Sequence, residues 1–160
     1  MTPHLIALLL ASAATATPPP TASPQAQADN AALAATLNWA DQQDFDFASR
    51  GFLGSIPDGK IRNAKGDLLR DLADEAQFTG PAPATVNPSL WRNATLVAKH
   101  GLFQVADGIW QVRGLDLANM TVIRGTTGWI IVDPLTGAES AKAAMALVTE
   151  KLGKRPVVAV

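Results

Sequence analysis

The strand-helix-strand pattern of residues 129–160 limits the possible folds more than any other part of the sequence. Residues 129–132 form an uninterrupted apolar run, which is typical of a strand buried on both faces of a sheet. A helix is predicted over residues 136–152, and a second apolar strand begins at Val157. Two strands joined by one helix normally pair in parallel. The pattern therefore predicts an α/β or α+β domain in which a helix covers a sheet.

The predicted helix has signals at both ends. Asp133 and Pro134 end the preceding strand, and Thr136 followed three residues later by Glu139 predicts a capping box. Gly153 marks the end of the helix. The apolar stripe expected to cover the sheet comprises Ala141, Ala144, Met145, Val148 and Leu152.

The stretch before this helix is predicted to form strands. Asp107 and Gly108 favour a tight turn between the first two strands, and residues 125–128 form the turn between the last two. The predicted strands comprise residues 103–105, 109–113, 120–124 and 129–133.

The N-terminal half is predicted to be a helical arm. Short helices are expected over residues 30–39 and 64–77 from their Ala and Leu content. The helix over residues 88–100 has the clearest boundaries, since an Asn stands at its N-cap position and a Pro at its first position. Residues 43–60 are interrupted by Gly and Pro and are expected to be irregular, with tight turns.

The N-terminus has the order of a secretory signal, an apolar stretch followed by small residues over residues 1–16. Cleavage after Ala16 or after Ala28 satisfies the small-residue rule, and residues 17–27 are expected to be a flexible leader. The apolar run is far shorter than the ~20 residues that a membrane-spanning helix needs. We therefore expect an exported protein, periplasmic or secreted, without a membrane span.

Composition excludes several classes of function. The net charge is −1, with no long run of either sign, so nucleic acid is not an expected partner. Cysteine is absent, which rules out disulfides and thiolate zinc sites within the chain. The only imidazoles are those of His4 and His100, and His100 is expected to have a structural role in the last turn of its helix.

Three regions follow from these patterns: residues 1–28 as signal peptide and leader, 29–100 as the helical arm, and 101–160 as the start of a sheet domain. The strand that begins at Val157 has no closing element after it, which predicts a truncated chain. A complete small domain is the alternative, but its exposed edge strand would favour aggregation.

Four stretches carry a resemblance to a known family. Residues 101–123 read GLFQVADGIWQVRGLDLANMTVI, residues 128–135 read GWIIVDPL, residues 46–52 read DFASRGF, and residues 86–92 read VNPSLWR. Together they resemble the linear alkyl sulfatases of the metallo-β-lactamase superfamily, and the resemblance extends over residues 44–160. It implies a helical arm followed by the first strands and helix of an incomplete αββα sandwich.

The resemblance also implies chemistry that this chain does not encode. Members of the family hydrolyse primary alkyl sulfate esters such as dodecyl sulfate with two zinc ions, and form homodimers. In them, the strand corresponding to the one at Val157 leads into a Thr-His-Ser-His-x-Asp-His segment that binds zinc. That segment is absent here, so the chain by itself is expected to be an inactive N-terminal part without catalytic or metal-binding residues.

Two residues are candidates for support of the zinc ligands. The resemblance places Asp133 at a strand end behind the ligand loop, where it would orient that loop. Asn119 corresponds to a strand end at the mouth of the site. Both residues are equally compatible with ordinary turn-forming roles.

Other side chains are assigned to the scaffold. Arg113 and Arg124 suit sulfate recognition chemically, but strand alternation places them toward solvent. We expect Trp91 and Trp129 to be core residues because of their helical and strand spacing.

Two other functions remain open from the sequence. The first is a different hydrolase of the metallo-β-lactamase fold. The second is a non-catalytic exported interaction module, which the lack of a metal cluster or a nucleophile-base pair favours.

Overall fold

The computed structural model describes residues 21–73 and 78–160. The predicted signal segment, residues 1–16, lies outside the described residues. Within the described part of the chain, no helix is both long enough and apolar enough to cross a membrane. The helices, in chain order, are α1 (Pro24–Thr36), α2 (Gln43–Ser49), α3 (Pro88–Val97) and α4 (Ala138–Leu152).

The strands form two sheets. In chain order they are β1 (Phe52–Gly54), β2 (Lys60–Arg62), β3 (Leu68–Asp71), β4 (Gly101–Ala106), β5 (Ile109–Arg113), β6 (Met120–Arg124), β7 (Trp129–Val132) and β8 (Val157–Ala159). The larger sheet is six-stranded, in the order β1-β4-β5-β6-β7-β8, and β2 pairs with β3 in a separate sheet. All neighbours in the larger sheet are antiparallel except β7 and β8, which are parallel.

The structure confirms the strands and the helix predicted after residue 101. β4 and β5 form a hairpin around Asp107 and Gly108, and Gly108 has the positive φ of 72° that such tight turns favour. β7, α4 and β8 form the predicted parallel unit, in which Trp129 lies opposite Val157.

The hydrophobic core lies between one face of the larger sheet and α4. Ala144, Leu147 and Val148 of α4 are fully buried, so the predicted apolar stripe is confirmed and Leu147 is added to it. The indole rings of Trp110 and Trp129 meet edge to face, with centroids 5.7 Å apart. The other buried members of this cluster are Ile61, Leu72, Leu102, Val112, Leu115, Met120, Val122 and Ile131.

The prediction that β7 is buried on both faces is wrong. Trp129 and Ile131 share the core with α4 and are almost completely buried, whereas Val132 is 53% exposed. Its side chain, like that of Ile130, points to the opposite face, because successive residues of a strand alternate between the two faces of a sheet.

The predicted helix over residues 64–77 is also wrong over its described part, because residues 60–71 form the β2–β3 hairpin. The Asn63 side-chain oxygen accepts hydrogen bonds from two backbone N–H groups of the turn, two and four residues later, both at 2.9 Å. Gly66 has a φ of 88°, outside the helical region. Side-chain hydrogen bonds of this kind compete with helix formation and here outweigh the helical spacing of the leucines. Residues 74–77 lie outside the described part.

The arm contains more regular structure than predicted for residues 43–60. α2 lies there, and β1 extends the sheet by pairing with β4, with Phe52 opposite Phe103. α1 begins at Pro24 rather than at residue 30, because the Ser23 hydroxyl accepts a hydrogen bond from an N–H of its first turn.

The boundaries of α3 are confirmed at its N-terminus only. The Asn87 side chain caps the helix by accepting hydrogen bonds from the N–H groups of Ser89 and Leu90. The helix ends at Val97, so His100 lies beyond it.

Candidate functional site

The most densely hydrogen-bonded carboxylate in the described chain belongs to Asp116, in the loop between β5 and β6. Its Oδ2 accepts hydrogen bonds from the N–H of Thr136 at 3.1 Å and of Gly137 at 3.0 Å. Its Oδ1 accepts from the Thr136 hydroxyl at 2.8 Å and from the N–H of Leu117 at 2.6 Å. One side chain thus ties the β5–β6 loop to the loop between β7 and α4.

This arrangement replaces the predicted capping box. The N-cap residue of α4 is Gly137, which has no side chain to accept a hydrogen bond, and Thr136 directs its hydroxyl to Asp116 instead of capping. Asp116 therefore provides from a distant loop the negative charge that stabilises a helix N-terminus.

The hydrogen bonds keep Asp116 ionised. Burial by itself would raise the pKa of this carboxyl, but the hydrogen bonds from Gly137, Leu117, Thr136 and Ser140 together lower it well below its usual range. The carboxylate is therefore a permanent acceptor at neutral pH.

Asp133 lies on the strained loop that Asp116 holds. Asp133 and Leu135 have φ values of 58° and 73°, in a region that non-glycine residues seldom adopt. The Asp133 side chain is exposed and accepts a hydrogen bond from the N–H of Leu135 at 3.3 Å. Backbone strain of this kind needs support from its surroundings, and the bonds to Asp116 supply it.

The structure brings both predicted candidates, Asn119 and Asp133, to the same end of the sheet, where β6 begins and β7 ends. Asn119 is exposed and directly precedes β6, and Asp133 directly follows β7. Thr121 pairs with Val132 across these antiparallel strands, so the start of β6 and the end of β7 lie side by side. Sequence reasoning missed Asp116, because its partners in the loop between β7 and α4 lie 20 and 21 residues away and leave no local signal.

The described residues do not fit a zinc ion. Residues 21–73 and 78–160 contain no group of three or more His, Cys, Asp or Glu side chains that could hold a metal. The His100 Nδ1 atom lies 2.6 Å from the Ser55 hydroxyl oxygen, a contact that joins the arm to the start of β4. His100 therefore ties two segments together and is not the helix-end residue that the sequence predicted.

The arginines and tryptophans divide between scaffold and surface. Arg124 is exposed and forms an ion pair with Asp107 at 3.1 Å, as expected of a solvent-facing side chain. The prediction that Arg113 faces solvent is wrong. Its side chain is half-buried over the Phe103 ring, and this burial lowers the pKa of its guanidinium. Trp129 is confirmed as a core residue with 2% exposure, whereas the prediction for Trp91 is wrong, because Trp91 is half-buried and lies outside the core cluster.

Known structures identify the class of fold. No protein-family model matches the chain. The solved structure of a stereoselective inverting sec-alkylsulfatase from Pseudomonas sp. superposes with a TM-score of 0.81 and 41% identity, covering 87% of this chain and 22% of that one. The chain is therefore a mixed α+β partial domain of the metallo-β-lactamase fold.

The curated relatives that the chain matches are alkylsulfatases. A linear primary-alkylsulfatase from Pseudomonas sp. is 43% identical over 84% of this chain, and an (R)-specific secondary-alkylsulfatase from Pseudomonas sp. is 44% identical over 83%. An alkyl/aryl-sulfatase from Saccharomyces cerevisiae is 40% identical over 80%. Over the part that it spans, which is about 20% of the length of each of these relatives, the chain is similar to alkylsulfatases.

Proposed function

We propose that this chain forms one part of a zinc-dependent alkylsulfatase that hydrolyses primary alkyl sulfate esters, such as dodecyl sulfate, to alcohol and sulfate. The observation that carries the proposal is the 40–44% identity to three alkylsulfatases over at least 80% of the chain. The matched part of the chain includes residues of both the sheet and the arm, so the similarity is not limited to a sheet motif that many proteins share.

In this proposal the catalytic chemistry belongs to residues outside the described part of the chain. The described residues contain no metal-binding group, so the two zinc ions of the family would be held elsewhere in a longer protein. The 160 residues alone are expected to be inactive toward alkyl sulfates. These residues contribute the scaffold, above all the end of the sheet at which β7 ends.

Asp133 is the residue proposed to act on that scaffold. β7 and β8 are parallel, so the carboxyl ends of both strands lie at the same end of the sheet. Ligand-binding loops typically lie at the carboxyl ends of parallel strands. A carboxylate at this end of the sheet can accept a hydrogen bond from a neighbouring loop and fix its orientation. Asp116 in turn holds the loop on which Asp133 stands.

The test is Asp133→Asn in a full-length alkylsulfatase that carries this segment. Asn tolerates the positive φ of 58° at this position and keeps the side-chain shape while losing the charge. Loss of a residue that supports metal ligands reduces metal affinity or turnover ~10 to 100-fold. Zinc content and the rate of dodecyl sulfate hydrolysis are measured together.

Arg124→Ala is the matched control, since Arg124 is exposed and its guanidinium lies at the hairpin turn, 3.1 Å from the Asp107 carboxylate and 5.6 Å from the centroid of the Trp110 ring. If both variants keep the wild-type zinc content and the wild-type rate of hydrolysis, Asp133 has only a turn-forming role. If the unaltered full-length protein, loaded with zinc, does not hydrolyse dodecyl sulfate, the proposed function itself is wrong.

Export and dimer formation complete the proposal. Residues 1–16 have the composition of a secretory signal, and the resemblance to the alkyl sulfatases implies a homodimer. Fusion of residues 1–28 to a reporter that is active only outside the cytoplasm tests export. Sedimentation of the full-length enzyme tests the dimer.

A further inference from the structure

An open cavity of about 710 Å³ lies in the arm, among α1, α3 and the segment at residues 80–88. Its volume falls within the range of ~300–1,000 Å³ that is typical of sites for small molecules. Aromatic rings contribute most of its large side chains, and they belong to Trp39, Phe45 and Trp91. This cavity is distinct from the end of the sheet that carries Asp116 and Asp133.

The polar atoms of the two indole rings are already satisfied. The Trp39 Nε1 donates to the carbonyl of Ala34 at 2.8 Å, and the Trp91 Nε1 donates to the carbonyl of Gly80 at 3.0 Å. With these donors engaged, the rings present hydrocarbon surface to the cavity. Alanines and prolines supply much of the remaining wall, which suits an apolar chain better than a polar ligand.

One basic side chain, that of Arg92, lines the cavity. Among the described residues, no other charged side chain lines the cavity, and the Asp44 carboxylate lies outside the lining, 3.9 Å from the Arg92 guanidinium. The Arg92 guanidinium lies 4.9 Å from the centroid of the Phe45 ring and donates to the backbone carbonyl of Asp41. A guanidinium has five N–H donors, so this contact leaves capacity for an anionic group.

We propose that this cavity binds a single-chain anionic amphiphile, with its alkyl chain among the aromatic rings and its head group at Arg92. Apolar burial would hold the chain, and a charge-assisted hydrogen bond would hold the head. The ligand class includes alkyl sulfates and fatty carboxylates, which share this chemistry. The site does not depend on zinc or on hydrolysis, so it stands or falls separately from the proposed function.

Binding is measured with the full 160-residue chain by titration calorimetry and tryptophan fluorescence, with octyl and decyl sulfate kept below the concentrations at which they form micelles. We expect saturable binding of one molecule per chain. Each methylene buried should strengthen binding by up to about fourfold, and the two extra methylenes of decyl sulfate by up to about fifteenfold. Decanoate in place of decyl sulfate shows whether the head group must be a sulfate.

Two matched variants of α1 test the location. Ala34→Phe places a ring in the cavity and should weaken decyl sulfate binding at least tenfold, whereas Ala35→Phe changes a neighbouring residue outside the lining and should leave binding unchanged. Circular dichroism confirms that both variants retain the wild-type helix content.

Two charge variants test the head-group contact. Arg92→Gln should weaken decyl sulfate but not the neutral decyl maltoside. Asp44→Asn should strengthen decyl sulfate, because the exposed Asp44 carboxylate lies 3.9 Å from the guanidinium and competes for it. The proposal is overturned if decyl sulfate does not bind saturably, or if the Ala34→Phe and Ala35→Phe variants bind it equally. It is also overturned if charged and neutral amphiphiles respond equally to both charge variants.

Discussion

At the scale of single residues, the carboxylate of Asp116 joins two loops that are 20 residues apart in the chain. Sequence patterns point to Asp133, which ends a strand, yet the structure gives Asp116 the larger set of hydrogen bonds. Asp133 adopts a strained backbone conformation that Asp116 stabilises through Thr136 and Gly137. The position of Asp133 therefore depends on Asp116, which the sequence patterns did not single out.

Asp116→Asn should destabilise the chain by about 1–3 kcal/mol, the usual cost of leaving partners of a partly buried hydrogen-bonding group unsatisfied. The amide has one acceptor oxygen in place of two, and its NH2 group would face backbone N–H donors. Urea-induced unfolding measures the change. Asp107→Asn is the control, because Asp107 is 94% exposed and an Asn-Gly turn suits the hairpin equally well. Equal stability of the two variants would contradict the role of Asp116.

The same carboxylate predicts a pH dependence with a definite sign. Hydrogen bonding lowers the pKa of Asp116 in the folded chain, below the value of about 3.9 for an unfolded Asp. Its stabilising contribution is then complete above the unfolded pKa and is lost as the pH falls toward the folded pKa. The stability difference between wild type and Asp116→Asn should therefore be constant near neutral pH and should shrink below about pH 4. A constant difference down to pH 2 would contradict this account.

At the scale of elements, the pairing of β1 with β4 joins the arm to the sheet. Gly101 has a φ of 133°, and a Cβ atom at this position would lie 2.4 Å from the carbonyl oxygen of Gly54. Only glycine allows the two strands to approach this closely. The arm therefore continues the sheet and is not a separate appendage.

Gly101→Ala should unfold this junction, and Gly66→Ala provides the matched control. Gly66 also has a positive φ, 88°, but no atom lies within 4 Å of the position of its missing Cβ. The control should lose about 1–2 kcal/mol from backbone strain alone. Gly101→Ala should lose a further ~1–3 kcal/mol from the clash, as measured by urea unfolding. Equal losses would show that the approach of β1 to β4 is not tight in solution.

At the scale of the whole molecule, the part of the chain that the structure describes holds a sheet and an arm but no cluster of metal-binding side chains. The sequence contains two histidines and no cysteine. We expect the purified 160-residue chain to retain no stoichiometric zinc after dialysis. Metal analysis by mass spectrometry is the measurement, and one zinc ion per chain would contradict the prediction.

The edge of the larger sheet predicts self-association of the isolated chain. β8 is an edge strand, and its Val157 and Val158 are 45% and 51% exposed. Exposed apolar edge strands pair with other chains, and a lysine at such an edge opposes pairing. Val158→Lys should shift the chain toward monomer in sedimentation experiments, whereas Val97→Lys, at a 63% exposed position of α3, should not. A wild-type chain that sediments as a monomer would refute this expectation.

The sequence by itself determined the sheet from β4 to β7, helix α4 and the parallel pairing of β8. These elements depend on local signals, namely apolar alternation, a turn pair such as Asp107 and Gly108, and the strand-helix-strand order. The similarity to alkylsulfatases was also evident from contiguous stretches of residues. Where each signal lies within a few residues of the structure it specifies, sequence reasoning was sufficient.

Only the tertiary structure decided the β2–β3 hairpin, the pairing of β1 with β4, the helix cap by Asp116 and the aromatic cavity of the arm. Hydrogen bonds to the Asn63 side chain favoured a turn over the helix that the spacing of the leucines predicts. The contact of His100 with Ser55 spans 45 residues. Asp116 acts across 20 residues, and Arg92 contacts Asp41 across 51. Such contacts are set by which surfaces meet when the chain packs, and no local pattern of residues specifies that meeting.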